Sequence, residues 1–287
     1  MKWKRTLSIL LSVAVLCACL WLAGCGQQGE DTQSVTLNPR IAEYLSVDSE
    51  QASALADGIQ NVDVTTKGND FTLHVIQTLG NQRELYILYD VTFADSVELP
   101  ALDESWPGPH RDFQSADGQR PMTQSTKNEV ISQEGRTLTY LGYVSWENDT
   151  FPEAEMTFSV GDFSSDEDPA VPTVTLTKET LEASWTPTNQ GTLLQRDVTD
   201  QDGKNVGTMT LSSYSVSFQL TETLQIPDTD DGWKAHICCL LDDQGNEVYK
   251  RAASGGGDYW STSFGKYVDL SKIATVQLGE YTASLGE

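Results

Sequence analysis

Between residues 71 and 93 the chain alternates with a period of two. Phe71, Leu73 and Val75 are separated by Thr72 and His74; after a Gly80-Asn81-Gln82 turn, Leu85, Ile87, Tyr89, Val91 and Phe93 alternate with Glu84, Tyr86, Leu88, Asp90 and Thr92. Successive side chains of a strand point to opposite faces, so the pattern predicts a hairpin of half-buried strands. A long loop containing proline and acids is expected at 94–127, followed by strands at 136–146 and 154–163. The second half repeats the style, with strands expected at 173–185, 193–198, 206–211 and 214–220. In the last of these, Tyr214-Ser215-Val216-Ser217-Phe218-Gln219-Leu220 alternates without a fault. Strands at 233–241 and 247–250 flank an Asp242-Asp243-Gln244-Gly245-Asn246 turn, and 273–281 supplies a closing strand. Short strands separated by turn signals, with no long helix between them, predict an all-β fold of two antiparallel immunoglobulin-like β-sandwich domains. The stretch 162–172 is acidic and unpatterned. It sets the expected boundary, giving a first domain at 38–163 and a second at 173–287.

The strands are preceded by different material. Asn38-Pro39 reads as a helix cap and first helical residue, with Ile41, Tyr44 and Leu45 on one face, and Asp48 with Gln51 caps a second short helix ending at Gly58. Before these helices, residues 25–37 are polar and read as a flexible tether. The chain opens with the cationic Met1-Lys2-Trp3-Lys4-Arg5, then an apolar run from Leu7 to Leu22 broken only by Ser8 and Ser12. This is the form of an export signal, and the run is short for a membrane span. It ends in Leu22-Ala23-Gly24-Cys25, which resembles the bacterial lipobox. That resemblance implies cleavage of a signal peptide at 1–24 and lipidation of Cys25, anchoring the protein to the extracytoplasmic face of a cell membrane. Two acyl chains on one cysteine suffice for stable attachment.

Composition narrows the partners. The formal net charge is −24, and the leader carries only cations, Lys2, Lys4 and Arg5, so the cleaved chain is more acidic still. Such a chain disfavours nucleic acid and direct adhesion of the body to anionic lipid. Cys17 and Cys19 fall in the leader, leaving Cys25, Cys238 and Cys239 and therefore no spaced disulfide framework and no CxxC motif.

Little in the pattern points to catalysis. His74, His110 and His236 are the only histidines and stand in no metal-ligand spacing, and no nucleophile elbow, P-loop or dinucleotide-binding glycine pattern occurs. No catalytic residue, metal site or cofactor is expected. Aspartates cluster at 197–205, 228–232 and 242–247. These could give oxygen ligands to calcium, but the same residues build hairpin turns, and no closing glutamate stands at the EF-hand distance. Aromatics expected in loops are the remaining candidates for ligand binding. They are Trp106 beside Pro107-Gly108-Pro109-His110, and Tyr259-Trp260 after Ser254-Gly255-Gly256-Gly257. Flat rings on a loop stack on sugars or fill a partner's pocket, but they also serve as core or lid residues at a sandwich end.

Residues 63–93, with Leu85-Tyr86-Ile87-Leu88-Tyr89-Asp90-Val91, resemble the ectodomains grouped as domain of unknown function 4179 and its C-terminal companion; so do Thr208 to Val216 and Val268 to Val276. The resemblance implies an extracytoplasmic immunoglobulin-like module, often borne by membrane-attached regulatory proteins of Gram-positive bacteria. It supplies no active-site residue. A lipid anchor with no cytoplasmic part departs from that pattern. The sequence thus points to a non-enzymatic binding or envelope-sensing lipoprotein with an envelope protein or glycan as partner. The alternatives are a carbohydrate-binding surface lipoprotein and a cell-envelope hydrolase.

Overall fold

Two short helices begin the fold. α1 (Pro39–Leu45) starts at Asn38, whose side chain accepts a hydrogen bond from Arg40 N, and ends at Ser46 with φ of 57°. α2 (Ser49–Ala54) is closed by a capping box between Asp48 and Gln51. Both lie where the cap residues predicted them. The computed structural model describes residues 35–100, 107–116, 118, 123–146, 150–151, 154–164, 174–224 and 236–286. The leader, Cys25, Trp106 and the 228–232 aspartate cluster lie outside these residues. No helix among the described residues is long and apolar enough to cross a membrane.

Among the described residues the chain is all-β apart from short helices, and its sheets are antiparallel. In chain order the first strands are β1 (Ile59–Lys67), β2 (Phe71–Gly80), β3 (Glu84–Phe93), β4 (His110–Ser115), β5 (Thr123–Glu134), β6 (Thr137–Ser145), β7 (Met156–Ser164) and β8 (Thr175–Trp185). β1-β2-β3-β6-β5 form one sheet and β4-β7-β8 a second. Their inward faces share a core of Phe71, Tyr89, Val91, Phe113, Tyr140, Phe158, Phe163 and Trp185. Within it Tyr89 stacks on Tyr140 at 5.3 Å and meets the edge of Phe158 at 5.1 Å. These are the offset and edge-on arrangements that the ring quadrupole favours.

Three expectations are corrected here. The span expected as a loop, 94–127, contains β4 and the start of β5, so His110 opens a strand. β3 is buried on both faces, because its nominally polar positions Tyr86 and Leu88 pack with Ile41, Leu45 and Leu55 beneath the helices. The boundary at 162–172 also shifts. β8 follows that stretch yet pairs along its length with β7, from Met156↔Trp185 to Ser164↔Thr175. Leu181, Ala183 and Trp185 then enter the first core. The opposite edge of β8 is tied to β1, where Thr66 Oγ1 donates to Glu182 O at 2.7 Å and Gln60 Nε2 donates to Thr186 O at 2.9 Å. The first sandwich therefore runs through Trp185.

The connector after β8 is fastened to the first sandwich. Thr188 N donates to Gln60 Oε1 (2.9 Å), Asn189 Nδ2 to Gly58 O (2.7 Å), Gln190 N to Asp57 O (2.7 Å) and Gly191 N to Gly80 O (3.1 Å). The backbones approach so closely that a Cβ on Gly191 would lie 2.3 Å from Gly80 O.

The second sandwich is built from β9 (Leu193–Thr199), β10 (Asn205–Ser212), β11 (Ser215–Leu220), β12 (Ile237–Leu241), β13 (Glu247–Ala252), β14 (Ser254–Gly256), β15 (Tyr259–Ser263), β16 (Thr275–Leu278) and β17 (Tyr281–Ser284). They form one sheet, ordered β13-β12-β16-β17-β9-β10-β11-β15-β14. β17 and β9 meet through the single pair Thr282↔Thr199, where the sheet folds over its own core of Val198, Met209, Phe218, Leu240, Trp260 and Val276. Thr36–Glu287 cluster as one compact unit.

Candidate functional site

A cleft of about 370 Å³ opens between the two sandwiches. Its first wall comes from the β2–β3 turn and the end of β6. Asn81 Oδ1 accepts from Arg83 N at 2.8 Å and Asn81 N donates to Glu84 O at 2.9 Å, which sets Arg83 and Glu84 at the cleft. The turn closes so tightly that a Cβ on Gly80 would meet Glu84 O at 2.0 Å. Trp146 N donates to Arg83 O at 2.7 Å, bringing Tyr143, Ser145 and Trp146 beside them.

The second wall is the outward face of the β9–β14 half of the other sheet. The strand register places Thr210 opposite Ser217, Ser217 opposite Ser261, and Ser261 opposite Ser254. Four hydroxyl residues thus form one row across four neighbouring strands. With adjacent strands about 4.8 Å apart, the row is roughly 14 Å long. All four line the cleft, and none of the four hydroxyls has a hydrogen-bond partner among the described residues. Arg251 of β13 and Tyr259 of β15 stand at the same cleft. Arg251 Nη1 donates to Ser263 O at 3.3 Å.

Glu84 forms the floor. It is 2% exposed, and its carboxylate accepts hydrogen bonds from Asn81 Nδ2 (3.1 Å), from the Tyr143 hydroxyl and from the Ser212 hydroxyl. Ser212 Oγ in turn accepts from Tyr214 N and Ser215 N, both at 3.0 Å. Burial first and the Glu84 charge second push the Tyr143, Tyr86 and Tyr214 phenols well above their ordinary pKa. Beside it Trp146 is 8% exposed, and its buried Nε1 has no hydrogen-bond partner among the described residues. What the cleft offers is therefore a row of hydroxyls and the Arg251 guanidinium, with its carboxylate already committed.

The residues expected to bind are placed differently. Trp260 lies in β15, not in a loop, and is 5% exposed within the second core; its Nε1 donates to Gly257 O at 3.3 Å and its face stacks on His236 at 5.4 Å. Tyr259, its neighbour on the opposite face, lines the cleft. The two described aspartate turns use their carboxylates locally. Asp200 accepts from Asp202 N (3.0 Å) and Lys204 N (2.9 Å), and Asp242 accepts from Gln244 N (2.9 Å) and Asn246 N (2.7 Å). Cys238 is buried and its thiol is pushed up to about 12, while Cys239 sits half-buried on the other face of β12.

No family model matches the chain, and no curated protein does. Among solved structures, the chain is similar to a conserved domain protein from Bacillus anthracis, with 10% identity, 82% of each chain covered and a TM-score of 0.46. It is also similar to the N-terminal periplasmic domain of ScsB from Proteus mirabilis, with 9% identity, 78% of this chain and 96% of that one covered, and a TM-score of 0.25.

Proposed function

We propose that this chain is an extracytoplasmic lipoprotein, anchored through Cys25, that binds an envelope component without catalysis in the cleft between its two sandwiches. The row Thr210, Ser217, Ser261 and Ser254 carries this reading, since four hydroxyls aligned on a walled, solvent-reached face are able to bond a ligand in place of water. The rest of the wall supports it. Aromatic and guanidinium groups beside a polar row are the few placed groups with which a cleft fixes a ligand's orientation. An immunoglobulin-like origin for both sandwiches belongs to the same proposal, supported by the antiparallel two-layer packing of the first. The test is retention of isolated cell-envelope material by the purified residues 36–287. Ser261→Trp, which places a bulky ring in the row, is to abolish retention without lowering the melting temperature. Equal retention by the variant removes the cleft from the function.

A further inference from the structure

Resting on that cleft, the geometry points to an acidic oligosaccharide as its ligand, bound through sugar hydroxyls along the Thr210–Ser254 row and through an anionic substituent, carboxylate or phosphate, at Arg251. The row decides the hydroxyl part. A hydroxyl both donates and accepts, so four of them in line match a ligand that presents donors and acceptors at short regular intervals. Backbone groups of β10, β11 and β15 are occupied by their ladders, so along these three strands the wall recognises through side chains. The strand spacing is comparable to one pyranose unit, and Tyr259, on the row's own wall, lines the same cleft.

Charge decides the anionic part. The charged residues that line the cleft, among those described, are Arg83, Arg251 and Glu84. Glu84 is buried with its carboxylate accepting three hydrogen bonds, and among the described residues the Arg251 side chain bonds only a carbonyl oxygen, so no carboxylate there neutralises its charge. A guanidinium presents a planar fork that fits carboxylate and phosphate. The chain's net charge of −24 opposes any anion at long range. At physiological salt that field is screened beyond about 8 Å, while contact with Arg251 is not.

The experiment is calorimetric titration of residues 36–287 with four probes: tetragalacturonate, its methyl ester, neutral maltotetraose and a glycerol-phosphate oligomer. The acidic probes are expected to bind at least about tenfold more tightly than the neutral ones, and Arg251→Gln is to erase that preference while leaving the melting temperature unchanged. Tighter binding of the uronate identifies carboxylate as the anion; tighter binding of the glycerol phosphate identifies phosphate. Neutral probes binding as tightly as acidic ones, or an Arg251→Gln variant that keeps the preference, overturns the acidic ligand but leaves the cleft standing if Ser261→Trp blocks the binding seen. Binding by none of the four overturns the acidic oligosaccharide, and retention of envelope material then judges the cleft separately.

Discussion

The carboxylate of Glu84, at the start of β3 in the first sandwich, accepts a hydrogen bond from the Ser212 hydroxyl at the end of β10 in the second. Tyr143 and Asn81 donate to the same group, so one buried carboxylate joins three chain segments. Its removal would leave these donors buried and unsatisfied. Glu84→Ala is therefore expected to lower unfolding free energy by about 3 kcal/mol in urea denaturation. A loss under about 0.5 kcal/mol would show that water replaces the carboxylate freely.

The phenols around Glu84 make the protein sensitive to alkali. Burial, followed by the Glu84 charge, raises the folded pKa of Tyr86, Tyr143 and Tyr214 above the ordinary 10.0. Above pH 10 the unfolded chain loses these protons while the folded one keeps them. The stabilisation from neutral phenols is complete below pH 10 and is lost as pH rises further. Ultraviolet titration is expected to show these phenols ionising only together with unfolding. Reversible ionisation of all ten tyrosines near pH 10, with the far-ultraviolet spectrum intact, would contradict their burial.

Because β8 completes the smaller sheet, a fragment ending at residue 164 strips the partner from Phe158 and Val160 on β7. Residues 36–164 should lack a cooperative thermal transition by circular dichroism, whereas 36–192 should show one. Cooperative melting of the shorter fragment would mean that β8 is dispensable.

Trp260→Ala should destabilise the protein by about 3–5 kcal/mol, the usual loss for a large aromatic removed from a packed core. The His236 face and the Gly257 carbonyl would lose their contacts together. An unchanged denaturation midpoint would place the ring outside the core.

Cys25→Ser should shift the protein from the membrane fraction to the medium, or leave an uncleaved precursor, since the anchor is proposed to be the lipid on that thiol. Salt-resistant membrane attachment of a correctly cleaved variant would refute the anchor.

Elements that depend on neighbours in sequence were legible from it. The β2–β3 hairpin and the Asn38 and Asp48 caps appear in the fold as read, because each is set by contacts a few residues apart. What escaped was long-range register. Tyr86 and Leu88 occupy polar-side positions of an alternating strand, and only partners distant in sequence, the earlier helices together with Tyr143 and Tyr214, explain their burial. The cleft was hidden for the same reason. Outward hydroxyls in Thr208 to Ser212, Ser215 to Leu220 and Tyr259 to Ser263 are visible in each strand, but their alignment into one row requires knowing that Ser217 faces Ser261. Hydroxyls at most outward positions of three strands, with Gln219 the exception, were the available signal. Trp260 misled because the glycines before it suggested a loop, while β14 and β15 pair across that turn.

The point where the chain joins the fold governs how it carries tension. Gln77, 3% exposed on β2, donates to Thr36 O at 3.0 Å and accepts from Asn38 N at 2.8 Å. In the helix that follows, Arg40 and Leu45 reach both bodies, with Arg40 Nη1 donating to Asp90 and Leu45 O accepting from Tyr267 N. A pull from the proposed membrane anchor is thus delivered at the joint between the sandwiches and spread as shear over several bonds, and no edge strand is peeled from either sheet.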